Sequence, residues 1–328
     1  MRIHKQKGWV LFFATLLWLL FMNGASIAAE KAEFPNKTIK IISPWPGGGG
    51  GDQEIRGFSL YLKKYIPVEI MIENVPGADT RIALTKAWKS GPDGYTLIYT
   101  TPPQPILNEH MFKTEYRTKE FVPVYGFLNR IVAMTVNVES WKDIEEFIAT
   151  ARTKTLSIGL SSLGSAAHLN ALAAVKAWGI INVNWVPYRT GSEAVTQVAG
   201  KHIDAAFTMG TTAFPLIRAG KIRALLKFSE TPMAGFENVP SPIEKGYHIP
   251  MISGLGGIVA PPKTPTHVIK ILEQACDKTS RDPEFLDWAA KGQYDVLRLP
   301  SEDFKKKILE QYKIVEENME IIKKSMSK

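Results

Sequence analysis

Segments with the two-residue period of a strand alternate with segments of helical period along almost all of this 328-residue chain, and no other feature constrains the fold as tightly. Alternating βα units build α/β architectures with largely parallel sheets. Strands are expected at 38–42, 68–73, 95–100, 131–137, 155–160, 183–188, 203–208 and 222–228. Between them, Ile55, Phe58, Leu62 and Ile66 form one helical stripe and Ile144, Phe147, Ile148 and Ala151 another, the latter opened by a capping box at Ser140 and Asp143. Thr264-Pro265 and Asp282-Pro283 each set a capping residue before a proline at the first helical position. Helices are expected to fill most of the remainder to Lys328, the last from Ser301 with Phe304, Ile308, Tyr312, Val315, Met319 and Ile322 on one side.

The N-terminus reads as a secretory leader. Arg2, His4, Lys5 and Lys7 precede an apolar stretch from Trp9 to Met22, and Ala25-Ser26-Ile27-Ala28-Ala29 supplies small residues for cleavage after Ala28 or Ala29. The competing reading is an uncleaved anchor, but the apolar stretch is short of the roughly 20 residues a bilayer span needs. With no cysteine near the cut, a free periplasmic protein is expected rather than a lipoprotein. Cys276 is the only cysteine and reads as a small buried hydrophobe. The net charge of +8 includes Arg2, Lys5 and Lys7, so the mature chain carries three fewer, +5, spread along its length. That favours small anions slightly and is no nucleic-acid footprint.

Five consecutive glycines, Gly47 to Gly51, follow the expected strand and Ser43-Pro44-Trp45-Pro46 and lead into Asp52 and a helical pattern. A strand, a loop without side chains and a helix start together hold anions, because the first N–H groups of a helix have no internal partner. Asp52 reads as the N-cap of that helix rather than a ligand contact. Ser165 reads as the N-cap of a second helix running from Ala166 toward Trp178 and ending at Gly179. Two such N-termini aimed at one cavity suit a carboxylate.

Several motifs then resemble the substrate-binding proteins of tripartite tricarboxylate transporters, the Bug receptors, over nearly the whole mature chain. Pro44-Trp45-Pro46 with the glycines and Asp52 resembles that family's first ligand loop, Glu73-Asn74-Val75-Pro76-Gly77-Ala78 its following turn, and Pro92-Asp93-Gly94-Tyr95-Thr96-Leu97 a hallmark without change. Gly164-Ser165-Ala166-Ala167-His168-Leu169 resembles the second ligand loop. Val186-Pro187-Tyr188 with Gly191 and Ala194, and the run Ile217-Arg218-Ala219-Gly220-Lys221-Ile222-Arg223-Ala224-Leu225, match further signatures.

The resemblance implies a type II periplasmic-binding fold, two α/β lobes with a ligand cleft between them, and divides the chain into a leader over 1–29, a discontinuous first lobe over 30–135 and 255–328, and a second lobe over 136–254. The expected crossings are 134–138 outward and 253–260 back. It also implies capture of a small carboxylate for delivery to integral membrane transporter subunits, by a monomer without catalysis, cofactor, metal or nucleic acid. The candidate ligand residues are Trp45, Pro46, Gly47, Gly48, Gly49, Gly50, Thr100, Thr101, Gly164, Ser165, Ala166, Ala167, His168 and Tyr188. Trp45 offers an apolar face and one N–H donor, against the simpler role of packing between lobes. Thr100 and Thr101 end a strand, where open α/β sheets bind ligands. His168 itself reads as a hydrogen-bonded structural histidine, with no second histidine or cysteine at metal spacing, and Arg81 and Arg189 as solvated arginines within possible reach of an anion.

Departures from the family pattern point to a less polar cavity. Gly47 and Gly51 replace a proline and a threonine, Ala166 and Ala167 replace serines, Leu163 replaces a polar residue, and Asp79-Thr80-Arg81-Ile82-Ala83 replaces a glycine-rich turn. Leu255-Gly256 replaces an aromatic pair and is expected to open or reshape one cleft wall, while the segment from Phe207 to Thr212 lacks an acidic or amide partner for an amino group. A carboxylate with an apolar or aromatic body is the expected ligand. The alternative with the same fold is a ligand-sensing accessory to a membrane sensor kinase. A nucleotide-binding enzyme is disfavoured, since no Lys-Ser/Thr follows the glycines and no nucleophile elbow appears.

Overall fold

In the first strand Ile39, Ile41 and Ile42 are all buried, as a strand covered by helices on both faces requires. This computed structural model describes residues 33–161, 165–229, 233, 235–249 and 251–326. The leader expected over 1–29, with its cleavage at Ala28 or Ala29, lies outside them, as do Leu163 and Gly164 of the second loop. From Lys37 onward the chain is one unit.

Its strands among the described residues are β1 (Ile39–Ser43), β2 (Ile70–Asn74), β3 (Thr96–Thr100), β4 (Val122–Arg130), β5 (Val132–Asn137), β6 (Leu156–Leu160), β7 (Val183–Pro187), β8 (Ala205–Met209), β9 (Ile222–Phe228), β10 (Gly254–Ala260) and β11 (Asp295–Pro300). Six form one sheet in the order β11-β4-β10-β3-β1-β2, and five a second in the order β7-β6-β8-β5-β9. The α-helices are α1 (Gly50–Leu62), α2 (Arg81–Trp88), α3 (Gln104–Met111), α4 (Ile144–Ala151), α5 (Ala166–Ala177), α6 (Gly191–Ala199), α7 (Gly210–Arg218), α8 (Thr266–Ser280), α9 (Pro283–Lys291) and α10 (Ser301–Met326). The result is two α/β lobes. The chain leaves the first sheet at Arg130 and enters the second at Val132, ahead of the expected 134–138, and returns between Phe228 and Gly254. The expected return segment is itself the strand β10.

The sheets are mixed rather than largely parallel. β1 pairs in parallel with β2 and β3, and β6 with β7 and β8. Antiparallel pairs join β10 to β3 and β4, β11 to β4, and β5 to β8 and β9. Three of the strands responsible, β4, β10 and β11, carry no clean strand pattern in sequence. Pro123 and Gly126 interrupt β4, and β10 is built around three glycines. Those glycines are required by tertiary packing: a Cβ at Gly257 would lie 2.3 Å from the Phe304 ring of α10 and one at Gly256 2.5 Å from the Tyr99 hydroxyl. Of the two effects expected of the Leu255-Gly256 pair, opening or reshaping a cleft wall, opening is not seen in the space beside Gly256. Tyr99 and Leu128 fill the space beside Gly256, and Leu255 is buried.

Helix starts show where local signals mislead. Asp282 caps α9, accepting from the N–H groups of Glu284 and Phe285, as expected. The box expected at Ser140 sits one turn later: Asp143 accepts from Glu146 N–H, and the Glu146 carboxylate accepts from Lys142 N–H. Thr264 does not cap α8. Its hydroxyl donates back to the Pro261 carbonyl at 2.8 Å, and the helix begins after Pro265. The last helix keeps its stripe, with Phe304, Ile308 and Val315 buried, and packs on β4 of the first sheet and on α5 beside the second. The strand β11 precedes it, in a stretch expected to be mostly helical.

Candidate ligand-binding site

The loop after β1 is held from behind by Asp52. Its carboxylate, 1% exposed, accepts from Gly48 N–H at 2.9 Å, from Arg56 Nε at 2.8 Å and from Asn74 Nδ2 at 2.6 Å, and Asn74 also donates to the Trp45 carbonyl. Burial works to raise the Asp52 pKa, but the hydrogen bonds from Arg56, Asn74 and Gly48 outweigh it and the net direction is downward. Asp52 is thus a scaffold residue, though not the N-cap it resembles. Gly49 caps α1 with extended backbone and no side chain, and Asp52 is the third residue of the helix. The first-turn N–H groups of Gly50 and Gly51 have no acceptor within the helix.

Those glycines line a cavity of about 440 Å³ between the two sheets. It lies just past the carboxyl ends of β1, β3, β6, β7 and β8, where open α/β sheets place ligands, and five helices begin at its wall. Gly49 and Gly50 open α1, Pro103 and Gln104 open α3, Ser165 and Ala166 open α5, Thr190 and Gly191 open α6, and Met209 with Thr212 belongs to the start of α7. Each N-terminus carries roughly half a positive charge, although the first N–H of α3, on Gln104, donates to the Thr101 carbonyl and that of α7, on Gly210, to the Ile131 carbonyl. Their convergence makes the cavity electropositive. Ser165 Oγ caps α5 by accepting His168 N–H, and Thr190 caps α6 by accepting Glu193 N–H at 3.1 Å.

The structure sorts the expected residues. Trp45, Pro46, Gly49, Gly50, Thr101, Ser165 and Ala166 line the cavity. Gly47 and Gly48 are exposed on the outer side of the loop and do not reach it. Thr100 is buried in a narrow gap behind Trp45 with Tyr99 and Leu84. Ala167 and His168 are fully buried within α5. The His168 imidazole meets Trp185 edge-on at 5.4 Å, and burial lowers its pKa to about 4. Tyr188 packs over Gly159 in the second lobe, away from the cavity wall. Gly164 lies outside the described residues. Arg189 lines the cavity, whereas the Arg81 guanidinium stacks 3.6 Å from the Phe112 ring centroid.

Three features of the site were not among the candidate ligand residues. Arg130, the last residue of β4, reaches the cavity from the crossing between sheets; a lone arginine at a strand end carries no local signal. Thr212 of α7 brings a hydroxyl to within 3.7 Å of where a Cβ on Gly50 would sit, so the second lobe supplies a hydroxyl beside the glycines that lack one. Finally, Ala78, Asp79 and Thr80 are consecutive left-handed residues, with φ of 46°, 48° and 75°. Such conformations cost about 1–3 kcal/mol each for non-glycine residues. Asn108 steadies the turn by donating to the Asp79 carbonyl at 2.6 Å, and Asp79 and Thr80 line the cavity. Among the described residues no cluster of His, Cys, Asp or Glu could hold a metal ion.

Two α/β lobes with an electropositive cavity at their strand ends define a periplasmic-binding-protein fold. The family model of the tripartite tricarboxylate transporter family receptor matches residues 55–325, and the chain belongs to that family, one of binding receptors and not of enzymes. Protein BugT of Bordetella pertussis is 27% identical over 293 residues, covering 86% of this chain and 89% of its own. A TctC solute-binding protein from Polaromonas, solved without ligand, has a TM-score of 0.72 at 25% identity, covering 89% of this chain and 99% of that one. MatC from Rhodopseudomonas palustris with bound malate has a TM-score of 0.79 and covers 88% and 100%; at 22% identity that likeness speaks to the fold alone.

Proposed function

We propose that this receptor captures a small carboxylate with an apolar or aromatic body in the periplasm, after removal of a leader near Ala28 or Ala29, and delivers it as a monomer to tripartite tricarboxylate-type membrane subunits. The observation that carries the reading is the convergence of five helix N-termini on one cavity whose wall also holds Trp45, Pro44, Pro102, Pro103 and Met209. The N–H groups of Gly50, Gly51 and Ala166 take the carboxylate, directly or through water, and Trp45 covers the body. The malate seen in MatC supports a carboxylate as the ligand class.

Contacts made by both lobes at once, the one built on the sheet of β1 and β10 and the one built on the sheet of β5 and β8, stabilise a closed form. Closure is then a population shift set by differential affinity, and the closed surface is what the membrane partner meets. The test is a thermal-shift panel on leader-free protein, refolded to remove co-purified ligand, against aliphatic and aromatic carboxylates, citrate and acidic amino acids. Ligand at 100 times its Kd adds about 2.7 kcal/mol, a shift of several degrees. Shifts with apolar-bodied acids support the reading; shifts with citrate or glutamate alone overturn the apolar body, and silence across the panel overturns the carboxylate.

A further inference from the structure

We propose that Arg130 is a second anion anchor of the cleft, taking the far acidic group of a two-ended ligand whose first carboxylate lies at the helix N-termini. The proposal rests on the carboxylate reading above and names which residue makes the second end matter.

Arg130 sits where the first lobe hands the chain to the second, and its register partner is Gly254, the first residue of the returning strand β10. Both line the cavity. A Cβ on Gly254 would come within 3.3 Å of the Arg130 Cβ and 3.8 Å of its Nη1, so glycine there leaves the side chain room. The side chain is 14% exposed and donates Nε–H to Glu54 Oε1 at 3.0 Å. The Glu54 side chain is 3% exposed, and its other oxygen accepts the Tyr99 hydroxyl. Each carboxylate oxygen of Glu54 thus has its own donor, and the pair is built into the wall rather than resting on it.

What remains unused is the outer half of the guanidinium. Arginine carries five N–H donors in a planar fork, and the bond to Glu54 is the only hydrogen bond that Arg130 donates among the described residues. Its two terminal nitrogens make no hydrogen bond among the described residues, and Arg130 lines the cavity. A carboxylate matches that fork with two parallel bonds. Burial opposes the charge, but the Glu54 carboxylate outweighs it and the net direction of the Arg130 pKa is upward. The Trp45 ring centroid lies 5.6 Å from the guanidinium carbon, so one indole borders both the glycine loop and the arginine. A monoacid leaves the fork partly dry and unpaired; a diacid of the right length fills it.

The experiment is isothermal titration of stripped, leader-free protein with straight-chain diacids of four to eight carbons and with the monomethyl half-ester of each, which keeps the shape and removes one charge. Removing Arg130 alone would strand the buried Glu54 carboxylate, so the variant is the double replacement Arg130→Met with Glu54→Gln, with Arg130→Lys beside it and folding checked by circular dichroism. We expect the native protein to bind its best diacid at least about tenfold tighter than the half-ester, the double variant to lose that preference, and Arg130→Lys to keep part of it. A preference that survives in the double variant, or a native protein that binds half-ester and diacid alike, overturns the anchor while leaving the carboxylate reading intact. A native protein that binds neither also overturns the anchor, while the carboxylate reading stands or falls on the thermal-shift panel above.

Discussion

Gly51 lies directly against Trp45: a Cβ at position 51 would fall 2.5 Å from the indole Cδ2. The absent side chain and the large one are therefore a matched pair. Glycine at position 51 lets the indole lie on the first turn of α1. The indole is then bracketed by Tyr99 at 5.3 Å and the Arg130 guanidinium at 5.6 Å.

Gly51→Ala forces the indole off that turn. Overpacking of this kind costs about 1–3 kcal/mol, and the displaced ring no longer borders the helix N–H groups. The expected result is a lower unfolding midpoint and an affinity for the cognate acid reduced by about tenfold or more, read by denaturant titration and calorimetry. Unchanged affinity would show that the indole serves the fold alone.

His168 sets a pH dependence whose sign is fixed. Burial depresses its pKa to about 4, below the unfolded value of about 6.5, so the unfolded chain binds the proton first. The stability tied to neutral His168 is complete above about pH 6.5 and drains away as pH falls toward 4, by at most about 1.4 kcal/mol per pH unit. Relative to its own stability at pH 7.5, His168→Gln should therefore lose less between pH 6.5 and pH 4.5 than the native protein. Parallel curves would place the titrating group elsewhere.

Ala78 is the mildest of the three left-handed residues to relieve, because it is exposed and does not line the cavity. Ala78→Gly should stabilise the protein by about 0.5–1 kcal/mol, the strain of a left-handed alanine less the added freedom of glycine in the unfolded chain. If the strained turn serves to hold Asp79 and Thr80 in place, ligand affinity falls as stability rises. A loss of stability would mean that the turn is not strained.

How legible all this was in sequence depended on whether the signal was local. The Gly47–Gly51 run, the caps at Ser165 and Asp282 and the apolar stripe of α10 are statements about neighbouring residues, and they appear in the structure near where the pattern puts them. The antiparallel strands β4, β10 and β11 did not announce themselves, because Gly256 and Gly257 are dictated by Tyr99 and Phe304 from distant segments. Asp52 was misjudged for a related reason. It looks like a cap from its position after glycines, but its partners include Asn74 on the next strand. Within the cavity, the loops at Trp45 and Ser165 were readable as helix starts. Arg130, Thr212 and the left-handed turn at Ala78 to Thr80 reach it only through the fold.

The central claim is that helix N-termini hold the ligand's carboxylate, and a crystal structure of the protein with the acid that gives the largest thermal shift tests it most directly. The account predicts carboxylate oxygens about 2.7–3.2 Å from the N–H groups of Gly50, Gly51 or Ala166, or joined to them by one water, with the Trp45 face against the body of the acid. A carboxylate bound outside this cavity, or held within it by arginine side chains alone with those N–H groups unengaged, would contradict it.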